Sequence, residues 1–255
     1  GNFYGWKQLG VFAYDESNAW TDNWEQLTPH FDGEGNFTGY TLNGETYAGN
    51  VQQMTTTGSV SKGGDTHWYD ANSDGIIDEN DRIILGNAQP KWVAGWNNSL
   101  SYKGISLSFN FYVSFGGKIY NRARWNMSTF RTSGATPDPY IIHNAWWQPG
   151  DVTDVPVPRN NGMENVRELG SRYLEDASFI RLRNLKLSYA LPSRLISPAG
   201  LERASIYVYG TNLLTWSDYS WFDPEVAFGN PLEMGRDTGR YPRKREFGLG
   251  LNLNF

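Results

Sequence analysis

The side chains best suited to chemistry lie between Asp70 and Asp81, in the stretch DANSDGIIDEND. Asp70, Asn72, Asp74, Asp78 and Asp81 occupy positions 1, 3, 5, 9 and 12 of that stretch, and Gly75 occupies position 6. Oxygen-bearing side chains at this spacing converge on a hard cation, the glycine permits a sharp turn, and the carbonyl at position 7 supplies a further oxygen. The spacing therefore predicts a structural calcium loop with Asp70, Asn72, Asp74, Ile76, Asp78 and Asp81 as ligands. Asp81 stands where an EF-hand loop has Glu, a shorter arm for bidentate ligation, and no flanking helix pattern is evident. The competing reading is a solvated acidic turn without an ion. Under either reading the loop is no catalyst, because nothing near it in sequence supplies a base or a nucleophile.

Other chemistry is thinly represented. The chain has no Cys, which removes disulfides and thiolate metal sites, and its His residues, His30, His67 and His143, lack the spacing of a zinc helix or a triad. Asp151, Asp154, Glu164 and Glu168 contain the carboxylates of a glycosidase pair, yet solvated loop charges explain them as well. Trp146 and Trp147, and the group Trp216, Tyr219, Trp221 and Phe222, offer faces for sugar rings or, alternatively, form aromatic belts at a membrane interface or pack inside the loops. A net charge of -5 argues against nucleic acid, which requires clustered Lys and Arg.

Strands must position these residues. Trp92, Ala94, Trp96, Leu100 and Tyr102 alternate with Val93, Gly95, Asn97, Ser99 and Ser101. After a tight turn at Lys103-Gly104, Ile105, Leu107, Phe109, Phe111, Val113 and Phe115 alternate with Ser106, Ser108, Asn110, Tyr112 and Ser114. Two strands of about 10 residues suit a transmembrane hairpin better than a globular sheet, whose strands average about 5–6. Phe179–Tyr189 changes phase between Leu182 and Leu185, which marks either a bulge or the point where the strand leaves the apolar zone; Ala204–Leu214 forms another strand, Ser193–Leu201 a turn, and Arg243–Phe255 a closing strand. In that last strand Phe247, Leu249, Leu251, Leu253 and Phe255 share one face, with Gly248, Gly250, Asn252 and Asn254 on the other. Asp22–Asp70, Asn121–Arg172 and Trp216–Tyr241 read as long polar loops, set against short turns at the other strand ends.

Several stretches resemble the C-terminal barrel region of SusC/RagA-like TonB-dependent outer-membrane transporters. They are Trp68–Asn121, with its Pro-Lys-Trp entry and Gly-Gly-Lys-Ile-Tyr-Asn close; Tyr173–Pro192; Ile206–Val226, with Asn-Leu followed by Asp-Pro-Glu; and Tyr241–Phe255. Gly1–Phe12 resembles an internal barrel strand of the same family. The matches run from end to end in the family's order.

The resemblance implies an all-β fold: the C-terminal part, residues 1–255, of a transmembrane antiparallel β-barrel that has 22 strands in the family, with long extracellular loops. It implies import of oligosaccharides or peptides across a Gram-negative outer membrane. The implied partners are a SusD-like surface lipoprotein, a TonB complex reached through an N-terminal region outside this chain, and outer-membrane lipid. No catalytic residue is implied, and no substrate-binding residue can be assigned. The absence of an initiating Met and of a signal peptide suggests a piece of a longer protein. The alternative is a secreted, calcium-stapled β-sandwich that binds glycans, in which a second sheet covers the apolar faces.

Overall fold

Lys103 and Gly104 both adopt positive φ, 46° and 83°, the handedness that a two-residue hairpin turn needs to follow the twist of its strands. On either side run β1 (Trp92–Tyr102) and β2 (Ile105–Phe115), paired without interruption from Trp92 with Phe115 to Tyr102 with Ile105. The computed structural model describes residues 1–129, 137–159, 164–225 and 234–255. These divide into two compact units, one holding residues 87–119 and 175–255 with Gly1, the other residues 2–86 and 120–174.

The first unit is built on one antiparallel sheet. β3 (Phe179–Ala190) pairs with β2, β4 (Arg203–Ser217) pairs with β3, and β5 (Glu246–Asn254) pairs with β4. The expected phase change in β3 is a bulge: Leu182 pairs with Phe111 and Asn184 with Asn110, which leaves Arg183 without a partner on β2. Across the other ladder Leu182 pairs with Leu214 and Asn184 with Thr211, so Asn212 and Leu213 are extra, and Asn212 takes φ 51°. The extra residues keep Leu182 and Leu185 on one face of the sheet.

Several boundaries differ from expectation, among them the end of β4, which runs to Ser217 rather than Leu214 and so takes Trp216 out of the expected loop. Ser193–Leu201 is a short helix, Ser193–Ile196, followed by a 3-10 turn, Ser197–Ala199, that ends at Gly200 with φ 71°. The closing strand begins at Glu246 rather than Arg243, because the Arg243 N–H donates to Asp223 Oδ2 at 3.0 Å and so leaves the ladder. Val226, the last residue of the Asp-Pro-Glu stretch, lies outside the described residues.

The second unit contains two of the three segments read as loops, Asp22–Asp70 and Asn121–Arg172, and both carry structure of their own. Thr28–Phe31, Phe37–Leu42 and Glu45–Tyr47 form a three-stranded meander, while Asn121 and Asp138 cap short helices at Arg122–Ser128 and Pro139–Asn144. Gly1–Phe12 is not one long strand. It breaks into Asn2–Gly5 and Gln8–Val11, the latter paired with Thr66–Trp68, because Trp6 between them turns into a core with Trp20, Met54, Trp68 and Ile77. Asn18 is wholly buried there: its Nδ2 donates to the carbonyls of Met54 and Ser61, and its Oδ1 accepts from Met54 N and Trp20 Nε1. Every polar valence of that side chain is filled, as burial requires.

Candidate functional site

The predicted calcium loop lies in the second unit, where it connects Thr66–Trp68 to a strand that begins at Ile83. Asp70 Oδ1 accepts from Ser73 N at 2.7 Å and its Oδ2 from Gly75 N at 2.7 Å, closing the turn that Gly75 completes with φ 74°. Gly75 packs against the Trp24 indole, so a Cβ there has no room. Asp74 Oδ1 accepts from Ile76 N, and Asn72 Nδ2 donates to Asp74 Oδ2, both at 2.8 Å. Asp78 caps Asn80, and the fully buried Asp81 accepts from the backbone of Ala71 and of Asp78. Burial pushes the Asp81 carboxyl above its usual pKa; its two backbone bonds oppose the shift, and the charges of Asp70 and Asp78 add to it. The six residues are therefore brought into one loop with the expected turn. Their carboxylates, however, are spent on backbone amides, and among the described residues no three His, Cys, Asp or Glu side chains converge to hold a metal ion. The donor set fits calcium in kind and the present arrangement does not.

The other acidic residues serve as local braces. Asp151 Oδ2 accepts from Trp147 N and Gln148 N, Asp154 Oδ1 from Tyr140 Oη, and Glu168 pairs with Arg122 at 3.5 Å. Trp146 Nε1 donates to the Ala13 carbonyl, which ties its ring into the unit, while Trp147 is exposed.

The first unit presents a different kind of site, a sheet with two unlike faces. The register places Trp92, Ala94, Trp96, Leu100 and Tyr102 on the same face as the odd-numbered residues of β2. Ile180, Leu182, Leu185, Leu187 and Tyr189 join them, then Ala204, Ile206, Val208, Leu214 and Trp216, and finally Phe247, Leu249, Leu251 and Leu253. Asn98 and Gly210 are the exceptions. Among the described residues no second sheet covers this face: Phe247 is 78% exposed, Leu249 71% and Leu251 56%. Aromatic rings crowd its two ends. Trp92 stacks on Phe115 at 5.3 Å, with Trp96, Phe111 and Trp216 nearby, and Tyr102 and Tyr189 flank Ile105 at the other end. From Trp92 to Tyr102, a strand rising ~3.3 Å per residue and tilted by about 40° spans about 25 Å, the height of the apolar band of a membrane barrel.

The opposite face is polar. Asn110 Nδ2 donates to Asn97 Oδ1 at 2.6 Å, and the hydroxyls of Ser101 and Ser106 lie 2.8 Å apart. Tyr207 and Tyr209 lie over Gly250 and Gly248, their cross-strand partners, where any Cβ would collide with the rings. Lys186 Nζ stands 4.1 Å above the Tyr207 ring. The glycines of β5 thus seat the tyrosines of β4.

Sequence reasoning missed a buried ionic group where this face meets the segment after β4. Arg181, 2% exposed, donates from Nη2 to Asp223 Oδ1 at 2.6 Å, from Nη1 to Glu225 Oε2 at 2.7 Å and from Nε to Thr215 Oγ1 at 3.0 Å. Arg183, the bulge residue, donates to Glu225 Oε1 at 2.6 Å while its guanidinium lies 3.6 Å from the Tyr112 ring centre. Beside this group Tyr219 Oη donates to the buried Asp237 at 2.7 Å, and burial together with that carboxylate holds the phenol protonated far above its usual range. The only signal in the sequence was Arg-Leu-Arg in a strand and Asp-Pro-Glu some forty residues on.

Comparison with known proteins gives consistent relatives, although no family model matches the chain. It is 38% identical to TonB-dependent receptor P39 of Formosa agariphila over 258 aligned residues, covering 100% of this chain and 25% of that protein. It is 28% identical to TonB-dependent receptor SusC of Bacteroides thetaiotaomicron, covering 74% of this chain and 17% of SusC. Its fold matches a chain of the RagAB peptide transporter with a TM-score of 0.66 at 23% identity, over 100% of this chain and 23% of that one. The chain spans about a quarter of the length of the first of these relatives.

Proposed function

Because the chain fits the C-terminal region of SusC/RagA-like TonB-dependent receptors, we propose that it supplies five membrane-spanning strands and their outer loops to a TonB-dependent transporter in a Gram-negative outer membrane. The supporting observation is the two-faced sheet: strands of 9 to 15 residues, apolar toward one side and polar toward the other, with aromatic rings at both ends. The relatives are receptors, which are not enzymes. In this arrangement Leu249 and its row face lipid, and Gly248, Gly250, Asn252 and Asn254 face the lumen. Short connections at Lys103-Gly104 and Ser193–Leu201 lie on the periplasmic side, and the connections after β2 and β4 lie outside.

The cargo in this reading is an oligosaccharide or peptide, delivered with a SusD-like lipoprotein as partner and TonB as the source of energy. Support comes from what the neighbours are named for: SusC, and a peptide transporter. The test is affinity purification of the tagged full-length protein from outer membranes. Co-isolation of a surface lipoprotein, together with cargo uptake that stops when TonB is removed, is expected; a soluble protein with neither property overturns the reading.

Calcium at Asp70–Asp81 remains a structural proposal. The spacing supports it, as does a buried Asp81 whose two nearest acidic neighbours raise the cost of its charge. A bound cation would remove that cost, provided the carboxylates turn from the backbone toward the ion.

A further inference from the structure

Beyond the end of β4 the first unit encloses a cavity of about 380 Å³ in which donors outnumber acceptors. Its acids are spent. Asp223 Oδ1 accepts from Arg181 and from Glu225 N, and Oδ2 accepts from Arg243 N, while Glu225 behind it already serves Arg181, Arg183 and Arg243. Its donors are not. Among the described residues Arg245 makes no hydrogen bond or ion pair, and Arg243 engages Glu225 through Nε alone, which leaves both of its terminal nitrogens uncommitted. Arg243 and Arg245 thus bring to the cavity guanidinium N–H groups that its carboxylates do not take up.

We propose that this cavity binds a carboxylate carried by a small ligand. The forked guanidinium groups of Arg243 and Arg245 match the two oxygens of a carboxylate. Phe222, 69% exposed at the rim, offers an apolar face to whatever ring or chain bears the acid. Arg181 is excluded from direct contact, because it is buried at 2% exposure behind Asp223, Glu225 and Thr215, each of which takes a bond from one of its nitrogens; it acts as a positioning residue that fixes Asp223 and Glu225. Two sources of such a group are an acidic sugar and the C-terminus of a short peptide.

The experiment is calorimetric titration of the purified full-length protein in detergent with trigalacturonate and with trialanine, each compared with its uncharged counterpart, a neutral galactose trimer and trialanine amide. At least one acid is expected to bind, with its neutral counterpart at least tenfold weaker, and the acid that binds identifies the source. Arg245→Gln, at an exposed position, is expected to weaken binding at least fivefold without changing the melting temperature. Binding of neither acid, equal binding of acid and neutral forms, or an Arg245→Gln protein that binds like the parent would overturn the proposal. Because the readout is binding rather than uptake, failure of the transport reading leaves this test intact.

Discussion

Arg181 stands between two carboxylates and a hydroxyl with three separate nitrogens, an arrangement that a lysine cannot reproduce from one ammonium. Arg181→Lys is expected to lower the stability of the full-length protein by about 2 kcal/mol, and Arg181→Ala by about 3–5, since the second change strands Asp223; urea unfolding of the two variants checks the order. His67 makes a pH prediction. Stacked on Phe12 at 4.7 Å and met edge-on by Trp20 at 5.5 Å, it is pushed by burial down to about 4. An unfolded His titrates near 6.5, so the unfolded state takes up the proton first as the pH falls. Stability is therefore complete above about pH 6.5 and declines toward pH 4, by on the order of 3 kcal/mol. Denaturant melts at pH 7.5 and 4.5 should differ accordingly, and His67→Phe should flatten the difference. Asp70→Ala with Asp74→Ala should abolish any gain in melting temperature on adding calcium; identical melts of the parent protein with calcium and with chelator would remove calcium from the account. At this scale the sequence was partly legible. The sharp turn from Asp70 to Gly75 was readable because its residues are neighbours in the chain, whereas Arg181 and Glu225 meet only because the chain returns after β4, and no local pattern announces that.

Strands carried the strongest signal, because alternation with period 2 is a local property and membrane strands extend it over about ten residues. The hairpin at Lys103-Gly104 and the bulge at Arg183 were both visible as phase, one kept and one broken. The roles of Gly248 and Gly250 were not, since the tyrosines they seat belong to the neighbouring strand and register decides the match. The face assignment predicts opposite effects at adjacent positions. Leu187→Arg places a charge toward lipid and should cost roughly 2 kcal/mol and reduce the assembled fraction, while Ser188→Arg on the polar face should cost little. Heat-dependent mobility of the full-length protein on unboiled gels reports both; equal assembly of the two variants contradicts the faces. Gly248→Ala, which displaces the Tyr209 ring, should also slow assembly, and combining it with Tyr209→Ala should restore part of the loss.

At the scale of the whole molecule, the sequence showed where the barrel strands lie and understated what lies between them. Polar composition and frequent turns made residues 22–70 and 121–172 read as loops, yet they fold around Trp6, Trp20, Trp68 and a fully bonded Asn18 into a unit with its own core. Widely separated tryptophans have no periodicity to betray a shared core. The central claim, that β1 to β5 cross an outer membrane with their long connections outside, has a direct test, since these 255 residues contain no Cys and any Cys elsewhere in the full-length protein can first be replaced by Ser. Tyr241→Cys, in the long connection before β5, and Ser197→Cys, in the short one before β4, can each be placed in the full-length protein and exposed to a membrane-impermeant maleimide on intact cells. The account predicts labelling of Cys at position 241 in intact cells and of Cys at position 197 only after the outer membrane is opened. Labelling of both positions in intact cells, or the reverse pattern, would contradict it.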